Sequence, residues 1–283
     1  MIKKFYELLD NTKFSKSEKK IAERLKKNLP DMAFLTGQEF AEVCNVNSST
    51  ITRFAQKLGY SGYPELKREL QKIYKKSFTP LEIFQNFIQN KNDKKSIINL
   101  SYQQDLKNIQ TAMAQLNEDN LIKIAKVIYE AKKLYIVAIG ASETLVDVFY
   151  YYFDAINRPY VALKGFGISK KFEIADLETG DVVMAISFQR ILKEVYDIVL
   201  MAKKKNLTTI AITDSDFNSL ATKCDYSLIA PVVPLTFSLS IAAPLVVINI
   251  LLNTISTLYP QKIQKNLKRI QEGWNNLPIF ADY

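Results

Sequence analysis

Apolar positions follow two rhythms along this chain, and the change falls just after residue 131. Before it they recur every three to four residues, the spacing of helices with one buried stripe. That rhythm predicts helices over 2–9, from Ser15 to about Asn28, over 36–44, 49–58, 64–76, 81–90, 95–115 and 119–131. Ser15 with Glu18 forms a capping box for the second of these; Ile21, Ala22 and Leu25 are its inner stripe, and Pro30 is expected to stop it. Beyond the change, Leu134–Ile139 is an unbroken apolar run rich in β-branched residues, the mark of a buried parallel strand. Similar blocks at 160–163, 181–187, 207–213 and 226–230 alternate with helices: one to about Ile156, one to Lys204, a short one after Thr213 and a long apolar one at the end. Strands alternating with helices predict a parallel sheet covered on both faces, with ligands bound beyond the strands' C-terminal ends. The expected organisation is two domains: an all-α domain over 1–77, a linker and helices over 78–118, an α/β parallel-sheet domain over 119–260, and a C-terminal helix and tail over 261–283.

Thr36 to Leu58 reads as two short helices joined by a tight turn. Thr36 and Glu39 make a capping box, Phe40, Ala41 and Val43 are expected in the core, and Asn45 suits the turn. Asn47 or Ser48 caps the second helix and Gly59 closes it. Ile51, Phe54, Ala55 and Leu58 fall on one stripe. Ser48, Ser49, Thr50, Thr52, Arg53, Gln56 and Lys57 fall on the other positions. Hydroxyl, amide and cationic groups of this kind contact phosphates and base edges, and a helix-turn-helix puts such a helix in the DNA major groove. An ordinary amphipathic surface helix has the same pattern.

Charge bears on these readings, although a solvated basic face would carry the same excess. The net charge is +9 over 283 residues. Residues 1–77 hold 16 Lys and Arg against 9 Asp and Glu, and 78–283 hold 22 against 20. The excess sits with the two-helix motif, which is the electrostatic footprint of a nucleic-acid partner. Two cysteines, Cys44 and Cys224, argue against a disulfide framework and for a reducing, cytoplasmic setting. With no histidine, neither a His-based zinc site nor His acid–base chemistry is expected, and no metal or cofactor is implied. The N-terminus lacks the apolar core of a signal peptide. Leu235–Tyr259 has the length of a membrane span, but Pro244 and scattered Ser and Asn favour a helix buried in an α/β core or a subunit interface.

Residues 1–77 resemble the N-terminal domain of the RpiR family of bacterial transcriptional regulators. The carriers are SKSEKKIAERLKKN, then MAFLTGQEFAEVCNVNSSTITRFAQKLGYSGYPELKREL. The resemblance implies a dimeric, sequence-specific binder of double-stranded operator DNA. It implies Ser48, Ser49, Thr50 and Arg53 as readers, with Asn47 and Thr52 beside them, and Lys57, Tyr60, Ser61 and Lys67 as backbone contacts. YIVAIGAS, GDVVMAIS, KKKNLTTIAITDS and KCDYSLIAP resemble the SIS (sugar isomerase) domain, a Rossmann-like fold that in this family binds phosphorylated sugars.

A phosphate needs backbone N–H groups, hydroxyls and a helix start. Three strand ends offer them: Gly140, Ala141 and Ser142; Ser187, Gln189 and Arg190; Thr213 and Ser215. Lys164, Gly165 and Gly167 are weaker candidates. Glu143 adds negative charge near the first, unless it points away. Asp214 and Asp216 suggest contacts to sugar hydroxyls, or helix capping. Where the family has a small residue, Gly and a later hydroxyl after Ser187, this chain has Gln189, Arg190 and Leu192. Arg190 either replaces the lost cradle with a bidentate contact to phosphate or carboxylate, or pairs with a neighbouring carboxylate or an interface. The expected function is a homodimeric or homotetrameric regulator, not an enzyme, that senses a sugar phosphate or related anion, with no membrane partner. The alternatives are a regulator whose SIS domain serves mainly for assembly, and a sugar-phosphate isomerase using Glu143 or Glu194.

Overall fold

The computed structural model describes residues 2–33, 35–77, 79–90, 96–165, 167, 174–216 and 218–274. Phe78 of the expected linker, most of the polar run after Asn90 and the tail beyond 274 lie outside them. Two compact units emerge: Met1–Gln104 with Val233–Leu239, and Asp105–Val232 with Ser240–Tyr283.

The first unit contains α1 (Ile2–Asn11), α2 (Lys16–Met32), α3 (Gly37–Cys44), α4 (Ser48–Lys57), α5 (Tyr63–Ser77) and α6 (Pro80–Asn90). Its core gathers the predicted stripes: Ile21 and Leu25 of α2, Phe40 of α3, Ile51 and Phe54 of α4, and Leu66 and Leu70 of α5 are fully buried. Two expectations are corrected. Helix α2 runs through Pro30 to Met32. A proline in the last turn removes one backbone hydrogen bond, and the burial of Leu29 and Met32 holds that turn against the core. In α3 it is Cys44 that is buried, and Val43 is only half-buried. α7 (Ile97–Gln115) crosses from one unit to the next.

The second unit contains α8 (Glu118–Glu130), β1 (Leu134–Ala138), α9 (Glu143–Ile156), β2 (Tyr160–Lys164), β3 (Val182–Ile186), α10 (Lys193–Lys204), β4 (Thr208–Thr213), β5 (Tyr226–Ile229), α11 (Ala242–Leu258) and α12 (Pro260–Trp274). The Asn117 side chain accepts from the Asn120 N–H at 2.9 Å and so fixes the start of α8. All strand pairings are parallel, in the order β2-β1-β3-β4-β5. Tyr135, Val137, Val183, Ala185 and Ala211 share one sheet face with Val195, Ile198, Val199 and Ala202 of α10. The alternate residues Ile136, Ala138, Met184, Ile186, Ile210 and Ile212 are buried too, so both faces are covered. α9 packs on β1 and β2, and α8 on β5.

After β4 the described residues form a series of turns where a short helix is expected. Asn218 organises them: its side-chain oxygen accepts from the Leu220 and Ala221 N–H groups at 3.0 Å each. The long apolar stretch splits likewise. Residues 235–241 are irregular and α11 begins at Ala242, with Ala243, Pro244, Val247, Ile248, Leu251 and Ile255 buried. No single helix among the described residues is long and apolar enough to cross a membrane; α11 and α12 pass that test only as a pair bent by 102°.

The strand order fixes where a ligand can sit. The connection from β1 leads outward to β2, and β3 leads the other way to β4 and β5. The order reverses between β1 and β3, and the crevice at their carboxyl ends is the usual ligand position of such sheets.

Candidate DNA interface and effector site

The helix-turn-helix is built by local chemistry. Thr36 accepts from the Glu39 N–H at 3.2 Å, and Glu39 accepts from the Thr36 N–H at 2.6 Å. Those hydrogen bonds hold the Glu39 carboxyl below its usual range. Asn45 ends α3 in the left-handed region, φ 51°, and the Val46 N–H reaches back to the Ala41 carbonyl at 2.9 Å. α4 ends the same way: Gly59 has φ 90°, and the Tyr60 N–H reaches the Ala55 carbonyl at 3.1 Å. Tyr63 then locks α5 to the start of α3, its buried hydroxyl donating to the Leu35 carbonyl at 2.7 Å. A Cβ on Gly37 would come within 3.2 Å of the Tyr63 ring, so a larger residue here would push that ring by a few tenths of an ångström.

With Ile51, Phe54, Ala55 and Leu58 buried, α4 turns Ser48, Ser49, Thr52, Arg53, Gln56 and Lys57 to solvent, with Thr50 half-buried. Asn47 precedes α4 but makes no side-chain capping bond, so its amide stays exposed. Arg53 lies back along its own helix, donating to the Ser49 carbonyl and hydroxyl at 3.4 Å each. Contacts that long cost little to exchange for a base edge or a phosphate. Lys57 is held differently. It pairs with the nearly buried Glu18 of α2 at 2.9 Å and sits 5.9 Å from the Phe14 ring centre. Ser61 is exposed, with its N–H donating to Glu65 at 2.7 Å; Tyr60 and Lys67 are half-buried. Burial lowers the Lys67 ammonium, partly opposed by Glu39. The predicted readers thus share one open face with Gln56, and Lys57 and Lys67 are partly committed to the fold.

At the end of β1, Gly140 takes φ 71° and opens a tight turn over Gly140–Ser142 that leads into α9. Ala141 is exposed, and Ser142 is half-buried with no capping bond. Glu143 points into the loop: one carboxylate oxygen accepts from the Gly140 N–H at 2.8 Å and the Gly165 N–H at 3.1 Å. Lys164 pairs with Asp147. Glu194 accepts from the Gly167 N–H at 3.3 Å.

At the end of β3, Ser187 is buried and its carbonyl accepts from the Thr213 hydroxyl at 2.7 Å. Gln189 is held at φ 54°, a conformation that costs a residue with a Cβ, and its N–H donates to Asp214 at 2.9 Å. Asp214 also accepts from Asn218 at 3.2 Å. Asp214 therefore pins the loop after β3, and its role lies in backbone support. The sequence marks Asp214 as a polar group but not its partner. Arg190 is exposed, and Ser215 is buried. Leu192 occupies the capping position of α10 without a side chain able to cap. Burial pushes both thiols up, Cys44 to about 11 and Cys224 to about 12, leaving them protonated and unreactive. Among the described residues, no group of three or more His, Cys, Asp or Glu side chains is arranged to hold a metal ion.

Burial raises the Asp214 carboxyl above its ordinary value, against the lowering by the Gln189 N–H and the other donors. A carboxyl raised on folding stabilises the protonated folded state, so its contribution is lost as pH climbs from the ordinary value through the raised one. Asp214→Asn keeps an acceptor for Gln189 without the buried charge. It is expected to flatten that pH dependence, to match the wild type at acid pH, and to be the more stable of the two at neutral pH. Asp214→Ala leaves the Gln189 N–H unpaired and is expected to cost about 1–3 kcal/mol. Thermal melts across acidic to neutral pH check this; an alanine variant as stable as the asparagine variant would refute the pinning role.

Comparison with known proteins follows the same division. The family model described as "Helix-turn-helix domain, rpiR family" matches residues 8–77, and the SIS domain model matches 127–254. An uncharacterised HTH-type transcriptional regulator of Clostridium perfringens is 28% identical over 272 residues, covering 93% of this chain and 96% of the relative. The Vibrio vulnificus NanR protein, solved in complex with ManNAc-6P, superposes with a TM-score of 0.61 at 19% identity, over 95% of this chain and 96% of that one. The sugar isomerase domain of the RpiR transcription factor from Sphaerobacter thermophilus gives a TM-score of 0.61 at 20% identity, covering 63% of this chain and 99% of that domain. With its two domains matched in this order, the chain belongs to the RpiR family of transcriptional regulators, with an N-terminal helix-turn-helix domain and a C-terminal SIS domain.

Proposed function

We propose that this regulator binds operator DNA through α4 as a homodimer or higher homo-oligomer, and that a sugar phosphate or related anionic metabolite at the β1–β3 crevice sets its DNA affinity. One observation carries the DNA half. α4 buries its whole apolar stripe in the first unit, yet presents an unbroken hydroxyl, amide and guanidinium face from Ser48 to Gln56. A helix of that size fits the major groove, with its N-terminal residues at the base edges. The effector half draws on the switch point between β1 and β3, with Gly140, Ser142, Gln189 and Arg190 at its rim, and on NanR, which is complexed with ManNAc-6P. Tyr150 and Tyr151 of α9 remain 54% and 65% exposed, aromatic surface that favours a second copy of the SIS domain.

An isomerase activity is disfavoured. Glu143 and Glu194, the acidic groups best placed to shuttle a proton, are engaged with backbone N–H groups, and the chain has no histidine. A sensor used mainly for assembly remains the second reading, because Asp214 already occupies the Gln189 N–H and Leu192 replaces a hydroxyl.

The test is a thermal-shift screen of the full chain against sugar phosphates and amino-sugar phosphates, followed by DNA titrations with each hit. A ligand at a hundred times its Kd is expected to add about 2.7 kcal/mol to the unit that binds it, a rise of several degrees. Hits that also change DNA affinity support sensing. A panel without shifts favours the assembly reading.

A further inference from the structure

We propose that Glu143 is a built-in anion occupying the anion subsite at the end of β1, and that an anionic effector binds by displacing it from Gly140 and Gly165. This rests on the effector-site reading above and adds its gate. The Gly140–Ser142 turn and the start of α9 lie at the switch point between β1 and β3. Backbone N–H groups aimed outward from such a turn, backed by a helix dipole, attract an anion. Here the anion is already supplied. A single Glu143 oxygen takes the Gly140 N–H at 2.8 Å and the Gly165 N–H at 3.1 Å, although the two donors come from the ends of different strands.

The bridge has two consequences. A phosphate cannot reach the Gly140 N–H while the carboxylate stays, because the two would share one donor and repel each other. When the carboxylate leaves, the Gly165 N–H at the end of β2 loses its partner. Effector entry at β1 is thereby coupled to the end of β2 by one side chain. Ser142, with its hydroxyl uncommitted to capping, is placed to receive the arriving oxygens.

The probe is inorganic phosphate, titrated calorimetrically into the full-length wild type, Glu143→Ala, Glu143→Gln and Asp154→Asn. Asp154 is exposed at the far end of α9 and controls for net charge. Thermal melts establish that each variant is folded, and Glu143→Gln preserves side-chain shape should the alanine variant be unstable. The expected result is phosphate binding at least tenfold tighter in Glu143→Ala, a smaller gain in Glu143→Gln and none in Asp154→Asn. Unchanged, weaker or undetectable binding in both folded Glu143 variants overturns the proposal, as does an equal gain in Asp154→Asn. The two readings fail separately. If the Glu143 variants gain phosphate affinity but no sugar phosphate alters DNA binding by the wild type, the gate stands and the sensing role falls.

Discussion

Replacing Phe54 by alanine is expected to destabilise the N-terminal unit by about 3–5 kcal/mol, the usual cost of emptying a buried aromatic site. Phe54 is fully buried and stacks on Phe14 with ring centres 5.0 Å apart. It sits on the same helix as the proposed DNA readers, one position after Arg53. Domains have about 5–15 kcal/mol in total to lose, so this change removes a large share of the unit's stability. Denaturant titration of the full chain should show an early transition from the N-terminal unit, with the SIS transition unmoved. DNA binding should fall with the folded fraction and recover on cooling or with osmolyte. A variant with both transitions unmoved would mean that Phe54 is not the keystone its burial implies.

The second prediction is the converse, loss of recognition without loss of fold. Arg53 is exposed, and among the described residues its side chain makes two 3.4 Å contacts, both to Ser49. Arg53→Ala is therefore expected to change stability by less than about 0.5 kcal/mol. In the proposed reading it removes a contact worth about 1–3 kcal/mol of base discrimination per recognition helix, a roughly 5- to 150-fold loss for operator DNA. Binding to unrelated DNA should hardly change, since that part is phosphate contact and counterion release. Anisotropy titrations at two salt concentrations separate these terms. An unaltered operator affinity would remove Arg53 from the readers.

The helix-turn-helix was legible because its signals are local. The Thr36/Glu39 box, the Asn45 turn, the Ile51–Leu58 stripe and Gly59 each act within a few residues, and each is found where the pattern puts it. The parallel sheet was legible for a related reason. Strands buried on both faces are continuously apolar, and helices between them leave parallel pairing as the natural solution. The misreadings arise where tertiary packing overrides a local rule. Pro30 fails to end α2 because the turn around it is anchored by Leu29 and Met32. Residues 235–241 are apolar enough for a helix yet stay irregular before α11.

The candidate effector site was legible as a set of strand ends and not as an arrangement. Gly140, Ser187 and Thr213 mark strand ends, and a parallel sheet makes those ends the natural ligand edge. What Glu143 and Asp214 do was hidden, because their partners are distant in sequence. Glu143 meets Gly165 across 22 residues and Asp214 meets Gln189 across 25. A carboxylate beside a glycine turn reads equally as repelling an anion or as replacing one, and only the fold decides which N–H groups it reaches.

Sequence-specific DNA recognition by α4 is open to direct measurement. The most direct measurement is selection of binding sites from random duplex DNA by the full-length protein, with Arg53→Ala in parallel. The wild type is expected to enrich one motif as an inverted repeat, with half-site centres about one helical turn (roughly 10 base pairs) apart or a multiple of it, and the variant to lose the preference at defined positions. A wild-type pool that stays random through successive rounds, with only salt-sensitive, sequence-blind binding, would contradict it.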